Sequence, residues 1–127
     1  ERMVTIMAKR LGKKWEGYSV SEATMREEDL IPAFISFLER ARQDGVTLSR
    51  RTLSTIKEAK GLMNRYPDAF GRRGWKGLSG EAQEEAGYIL QDLFDALDEI
   101  APSNCYFGAH PGDGADFGFW WSSEWAY

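Results

Sequence analysis

The stretch from Asn104 to Trp121, NCYFGAHPGDGADFGFWW, constrains the fold more than any other part of the sequence. Two runs rich in aromatic residues flank Pro111-Gly112-Asp113-Gly114. Aromatic side chains favour strands, whereas proline, glycine and aspartate favour turns. The stretch therefore predicts a β-hairpin whose loop consists of the four residues from Pro111 to Gly114.

The predicted loop sets the pairing of the two strands. With that loop, Phe107 lies opposite Gly118, and an aromatic ring over a cross-strand glycine covers exposed backbone. One face of the hairpin then carries Tyr106, His110, Phe117 and Phe119, and the other carries Phe107, Asp116 and Trp120. A change of one residue in the loop would move one strand's set to the opposite face. Since both faces carry aromatic rings, either helices cover both faces or one face is a binding surface.

Helical periodicity occupies most of the rest of the chain. Pro32 is tolerated only in a first turn, so the first main helix begins near Glu28 or Asp29 and ends before Gly45. Its apolar stripe consists of Leu30, Phe34, Phe37, Leu38 and Ala41. The other predicted elements are a short helix within 1–12 that ends at Gly12, a strand within 15–25, a second helix that begins at Thr47 or Ser49 and stops before Pro67, and a third from about Gly80 to Ala101 capped by Ser79.

This order of elements predicts one α+β domain over residues 1–127. We expect three to four helices packed on a small antiparallel sheet that includes the C-terminal aromatic-glycine hairpin. Cys105 is the single cysteine, so no intramolecular disulfide forms and a cytoplasmic location is expected. No apolar run approaches the ~20 residues that cross a bilayer, so no membrane partner is expected.

Charge is distributed unevenly along the sequence. Between Thr47 and Gly77 there are eight basic and two acidic residues, and from Leu78 onward there are ten acidic residues and no lysine or arginine. The simpler interpretation is that the basic and acidic helices lie side by side and neutralise each other. The alternative is that one of the two charged segments contacts a partner.

Two charge placements oppose the dipoles of their own helices. Arg50 and Arg51 lie in the first turn of the second helix, which indicates an anionic partner for one of them. Asp98 and Glu99 lie at the carboxyl end of the third helix, where an arginine from the second helix or from another protein would offset them. The third helix also carries an acidic stripe, interrupted by Tyr88, that consists of Glu81, Glu85, Asp92, Asp95 and Glu99.

The hairpin carries side chains that could in principle react or bind metal. In the predicted register, Cys105 and His110 lie on opposite faces, so they do not form a nucleophile–base pair. The spacing of His110, Asp113 and Asp116 matches no standard metal site, and Asp113 is explained as a turn residue that bonds nearby N–H groups. No Walker motif, dinucleotide fingerprint or kinase signature is present. We therefore expect no catalytic residue, no metal and no cofactor, which favours a non-enzymatic protein.

The candidate contact residues come from two segments. The connection between the second and third helices contains the basic and aromatic residues Arg72, Arg73, Trp75 and Lys76. The hairpin contributes Tyr106, His110, Phe117 and Phe119. Cationic and stacking contacts of this kind suit a protein partner or a nucleotide-like ligand.

Two motifs resemble small uncharacterised bacteriophage and prophage proteins. YFGAHPGDGADFGFW, at Tyr106 to Trp120, resembles their C-terminal end. TMREEDLIPAF, at Thr24 to Phe34, is similar to the start of their first main helix. The resemblance implies an accessory protein made by a phage inside a bacterial cell, and it carries over no catalytic residue.

Three functions follow from these observations. The first is a small non-enzymatic phage-type accessory protein that binds a host macromolecule, such as a bacterial defence component. The second is a module that sequesters a nucleotide-like ligand through basic and aromatic residues. Nucleic-acid binding ranks third, because a sequence pI near 5.1 and the acidic third helix oppose it. The sequence leaves open whether the chain is a monomer or a homo-oligomer.

Overall fold

Helices cover one face of a small sheet in this chain. The computed structural model describes residues 8–70 and 77–122. In order, the elements are a 3₁₀ turn (Lys13–Trp15), β1 (Ser19–Ser21), α1 (Glu27–Gln43), α2 (Arg50–Arg65), α3 (Pro67–Phe70), α4 (Gly80–Glu99), β2 (Cys105–His110) and β3 (Asp113–Trp121). The expected α+β class, with helices on an antiparallel sheet that contains the C-terminal hairpin, is confirmed.

The strand β3 lies in the middle of the three-stranded sheet, which has the order β1-β3-β2. It pairs with β2 as the hairpin and with β1 on its other side, where Ser19 lies opposite Gly118. The Ser19 hydroxyl also donates a 2.5 Å hydrogen bond to Asp116. The sheet thus joins segments from the two halves of the sequence.

The predicted hairpin register was wrong by one residue. Phe107 lies opposite Phe119, and Gly108 lies opposite Gly118. The turn is shorter than predicted, because His110 pairs with Asp113 across Pro111 and Gly112, and an irregularity beyond Ala109 absorbs the extra residues of β3. Because the side-chain period of a strand is two, this change places Phe107 on the same face as Phe117 and Phe119.

That shared face builds the core. Phe34 of α1 lies with its ring centroid 5.1 Å from that of Phe107 and 5.2 Å from that of Phe94 on α4. Phe119 has no exposed surface, and Phe117 is 7% exposed. The predicted apolar stripe of α1 is buried as a whole, so this prediction is confirmed. Burying these rings between α1, α4 and the sheet explains why the chain adopts this register.

The second face of the sheet is covered by its own aromatic side chains. The ring of Trp120 lies on Gly118, where an added Cβ would come within 2.8 Å of the indole and 2.3 Å of the Tyr18 carbonyl oxygen. The indole Nε1 of Trp120 donates to the Gly108 carbonyl at 2.9 Å. Tyr106 covers Gly108 in the same way, at 3.2 Å from the position of a Cβ. Each ring covers a glycine of its own strand rather than one across the ladder.

Local predictions outside the hairpin have mixed outcomes. Ser49 caps α2 by accepting a 3.1 Å hydrogen bond from the Thr52 N–H, as the sequence indicates. The predicted helix within 1–12 is wrong for residues 8–12, where Ala8 forms a parallel bridge with Val46; its first seven residues lie outside the described part. The strand predicted within 15–25 exists but is only three residues long. No helix in the described ranges is long and apolar enough to cross a bilayer.

Candidate protein-binding groove

The helices α2 and α4 pack against each other in opposite directions. Arg51, near the start of α2, lies 3.7 Å from Asp92 in the second half of α4. Arg65, at the end of α2, donates a 2.5 Å hydrogen bond to Glu85 in the first half of α4. This hydrogen bond raises the pKa of the Arg65 guanidinium. The basic and acidic helices therefore lie side by side, and the expected anionic partner of Arg51 is Asp92.

The antiparallel arrangement explains the two unfavourable charge placements. A helix has a positive amino end and a negative carboxyl end, so two antiparallel helices bring opposite ends together. The start of α2, with Ser49 and Arg51, shares a small cleft with Asp95 and Glu99 at the end of α4. Asp98 has a different role, since its carboxylate accepts a 3.0 Å hydrogen bond from the Phe107 N–H on β2.

An open groove of about 760 Å³ runs between the exposed sides of α2 and α4, and we call it the α2–α4 groove. Five carboxylates and two cations line it, so it is net negative. Its lining residues are Lys57, Glu58, Gly61 and Arg65 from α2, and Glu81, Glu84, Glu85, Tyr88, Ile89 and Asp92 from α4. The groove is therefore an acidic channel with a helix on each side.

Tyr88 stands at the rim of the groove with 75% of its surface exposed, the largest value among the exposed large hydrophobic residues of the described chain. Its neighbour Ile89 is buried. A tyrosine combines a large apolar ring with a hydroxyl that hydrogen-bonds, and such residues are enriched in protein–protein contacts. An exposed ring surrounded by carboxylates is suited to contact with another protein.

Gly61 lies in the interior of α2 and lines the groove. Glycine in a helix interior is about 1 kcal/mol less favourable than alanine. A Cβ at this position would have no atom within 4 Å, and the backbone does not adopt a positive φ that would require glycine. Neither packing nor backbone conformation in the described chain therefore accounts for this glycine, and its absent side chain leaves α2 open to close approach.

The structure separates the contact residues that the sequence placed together on the hairpin. Tyr106 and His110 are half-buried on the second face of the sheet. Phe117 and Phe119 belong to the core on the opposite face, so grouping them with Tyr106 as a contact surface was wrong. The register error is the reason, because a shift of one residue exchanges the faces of a strand. The basic-loop candidates Arg72, Arg73, Trp75 and Lys76 lie outside the described residues.

The polar residues of the hairpin stabilise its turn. The Nδ1 atom of His110 accepts a 2.9 Å hydrogen bond from the Gly112 N–H, and the His110 ring lies edge-on to Trp120. Asp113 accepts a 3.1 Å hydrogen bond from the Ala115 N–H, as its interpretation as a turn residue predicts. Within residues 8–70 and 77–122, no group of three or more His, Cys, Asp and Glu side chains could hold a metal ion.

Cys105 has no base within reach in the hairpin. His110 lies roughly 16 Å farther along the same strand at ~3.3 Å per residue. Burial raises the pKa of the Cys105 thiol, and the negative charge of Glu16 raises it further. A raised pKa keeps the sulfur protonated at neutral pH, whereas a nucleophile needs the thiolate.

The sequence indicates the α4 side of the groove but not its α2 side. Tyr88 and the carboxylates of α4 were visible as an interrupted acidic stripe. Gly61 was missed, although a glycine inside an otherwise regular helical pattern is itself a signal for a special position. The pairing of α2 with α4, which turns the stripe into one wall of a groove, becomes visible only in three dimensions.

Comparison of the chain with known protein families, curated proteins and solved structures gave no match.

Proposed function

We propose that this protein acts without catalysis of its own, by binding another protein through the α2–α4 groove. The observation that carries the proposal is the exposed ring of Tyr88, at the rim of an open groove that is lined by carboxylates. Tyrosine is among the residue types that most often dominate the binding energy of a protein contact. The carboxylates around the ring would select partners with complementary charge and increase their association rate.

The resemblance to phage and prophage proteins supports a host macromolecule as the partner. A phage accessory protein of this kind would act in the bacterial cytoplasm, and a component of host defence is the partner class we propose. The charges of α2 support a protein partner over a nucleic acid. Three of its cations already pair with carboxylates of neighbouring helices: Arg51 with Asp92, Lys60 with Glu39, and Arg65 with Glu85.

Sequestration of a nucleotide-like ligand is the second candidate. It retains Tyr106 and His110 on the second face of the sheet, but it loses Phe117 and Phe119 to the core. A thermal-shift screen with nucleotides separates the two functions. A rise in Tm with one nucleotide class that Tyr106→Ala abolishes would favour sequestration, and unchanged Tm values would discard it.

Site-specific photo-crosslinking tests the protein-binding proposal. A photoreactive phenylalanine replaces Tyr88 in one variant and Met25 in a matched control. Met25 is 68% exposed but does not line the groove. In a bacterial lysate, we expect a discrete adduct from position 88 that position 25 does not form.

Competition shows whether that adduct depends on the groove. Excess wild-type protein should suppress it, whereas excess Tyr88→Ala protein should not. Because Tyr88 is exposed, Tyr88→Ala should unfold at the same temperature as the wild type. Identical adducts from both positions, or no adduct from position 88, would contradict the proposal.

A further inference from the structure

Resting on the proposed function, we infer that the α2–α4 groove receives a cationic amphipathic helix of the partner protein, whose backbone passes close to Gly61. The proposed function specifies a protein partner, and the groove further specifies the secondary structure and charge of the segment that binds. It rests on three independent features of the groove: its shape, its glycine, and carboxylates that form no ion pair with any described residue.

The shape of the groove suits a third helix. The groove side of α4 extends from Glu81 to Asp92, about 17 Å at ~1.5 Å per residue, which matches roughly three turns of a partner helix. Two adjacent packed helices can bind a third helix, because the side-chain ridges of the third helix fit into the groove between the first two. The backbone N–H and C=O groups within α2 and α4 are satisfied inside each helix, so the groove offers no ladder for an added strand.

Gly61 indicates close approach of the occupant. It is a destabilising choice for a helix interior, and nothing in the described chain fills the space where its Cβ would stand. Small residues at a helix–helix contact let two backbones approach closely, which a Cβ would prevent. Gly87 in α4 provides the contrast, since its missing Cβ would lie 3.7 Å from Glu27 and it does not line the groove.

The charges of the groove call for a cationic partner. Glu85 and Asp92 already pair with arginines of α2. Glu58, Glu81 and Glu84 form no ion pair with any described residue, and they outnumber Lys57, the one groove-lining cation without a described ion pair. Lysine or arginine residues that flank an apolar stripe on the occupant would meet these carboxylates, while the stripe would pack on Tyr88. The same net charge repels nucleic acid.

Selection from a helical peptide library tests the inference directly. The library displays amphipathic helices of about four turns with randomised polar positions, and purified wild-type protein is the target. We expect the selected peptides to be enriched in lysine and arginine beside their apolar stripe. Binding should weaken at least about tenfold for Glu81→Lys combined with Glu84→Lys, a change that places repulsive charge in the groove.

Two glycine substitutions provide the sharper comparison. Gly61→Ala and Gly87→Ala each add one methyl group inside a helix, and each variant should unfold at a temperature equal to or above that of the wild type. If the selected peptides pack against Gly61, they should bind the Gly61→Ala variant at least about tenfold more weakly than the wild type. They should bind the Gly87→Ala variant with the affinity of the wild type. Equal binding of the two variants would overturn the inference, as would selection of neutral or acidic peptides or of none.

The outcomes separate this inference from the proposed function. If the adduct from position 88 persists in Gly61→Ala and in the charge-reversed variant, protein binding stands and the cationic helix is excluded. If cationic helices bind the groove but position 88 forms no adduct in lysate, the chemistry of the groove stands and its proposed cellular function is excluded. A dimer in sedimentation experiments that Gly61→Ala dissociates would assign the groove to a second copy of the chain and overturn the inference.

Discussion

At the scale of single residues, glycines with the same chemistry have different surroundings. A Cβ at Gly118 would lie 2.3 Å from the Tyr18 carbonyl oxygen and 2.8 Å from the Trp120 ring, so both the indole and the backbone next to β1 would have to move. A Cβ at Gly114, near the turn of the same hairpin, would meet nothing within 4 Å. The difference indicates that Gly118 is required by packing of the sheet, whereas Gly114 is not.

We therefore expect Gly118→Ala to lower the free energy of unfolding by about 3 kcal/mol, at the upper end of the cost of overpacking. Gly114→Ala is the matched control and should change it by less than about 0.5 kcal/mol. Urea denaturation followed by tryptophan fluorescence measures both variants. Equal effects would show that the backbone of β1 yields easily and that the contact does not constrain the sheet.

The Cys105 thiol gives a prediction for pH dependence. Its raised pKa means that the folded protein holds the thiol proton more strongly than the unfolded chain does. The corresponding stability is present below the ordinary thiol pKa and is lost as the pH rises through the raised value. At pH 7.5, iodoacetamide should alkylate the native protein more slowly than the urea-unfolded protein, and the native rate should increase toward pH 10. A faster native reaction would restore Cys105 as a candidate nucleophile.

At the scale of elements, β2 is an edge strand, and three of its outward backbone groups have partners. The Phe107 N–H donates to Asp98, and the Tyr106 hydroxyl donates to the Ala109 carbonyl at 3.0 Å. The Cys105 N–H donates to the Pro102 carbonyl at 3.0 Å. Unpaired edge strands are templates for association with other chains, so these contacts protect the sheet from edge-to-edge pairing.

Asp98→Ala should expose this edge. We expect the free energy of unfolding to fall by about 1 kcal/mol, because the Phe107 N–H loses its acceptor. Concentration-dependent self-association should also appear in light scattering. Asp98→Asn retains a carbonyl acceptor and should behave like the wild type in both measurements. If Asp98→Asn self-associates as strongly as Asp98→Ala, charge rather than hydrogen bonding protects the edge.

The antiparallel pair of α2 and α4 makes two adjacent arginines differ. Arg50 forms no ion pair with a described residue, whereas Arg51 pairs with Asp92. A glutamate at either position improves the interaction with the dipole of α2, but at position 51 it also faces the carboxylate of Asp92. The change in stability should therefore differ between the two positions: only the favourable dipole effect acts at position 50, whereas repulsion by Asp92 outweighs it at position 51.

We expect Arg51→Glu to destabilise the protein by about 0.5 kcal/mol at low salt and Arg50→Glu to be neutral or slightly stabilising. In 0.5 M salt the difference should shrink, because exposed charges are screened. Urea denaturation at two ionic strengths measures it. Equal effects at low salt would mean that the helix dipole dominates and that the pair with Asp92 contributes nothing.

The sequence predicted the elements better than their registers. Ser49 located the start of α2, because a capping serine acts within one helical turn. The limit of Pro32 to a first turn was wrong, because α1 begins at Glu27 and contains Pro32 in its second turn. The hairpin was predicted from its aromatic and turn residues, but its register depends on how Phe107, Phe117 and Phe119 pack beneath Phe34. That packing is a tertiary effect, and propensity or turn chemistry does not encode it.

At the scale of the whole molecule, the fold class followed from the order of the elements, whereas the candidate groove did not. Tyr88 and its neighbouring carboxylates are ordinary surface residues on a helical wheel. They line a groove only because α2 packs antiparallel to α4 and leaves Gly61 opposite them. The charge separation along the sequence did predict that these helices are neighbours, since opposite charges were expected to lie side by side.

The position of β3 between β1 and β2 has a consequence for how the chain folds. Pairing of β1 with β3 brings Ser19 next to Gly118, so it closes a loop that contains most of the chain. Closing such a loop costs entropy before any contact compensates for it, which slows folding. During synthesis the apolar stripe of α1 cannot complete its packing until Phe117 and Phe119 of β3 have been made. The core is therefore completed late, and chaperone binding to nascent α1 would be strongest in that interval.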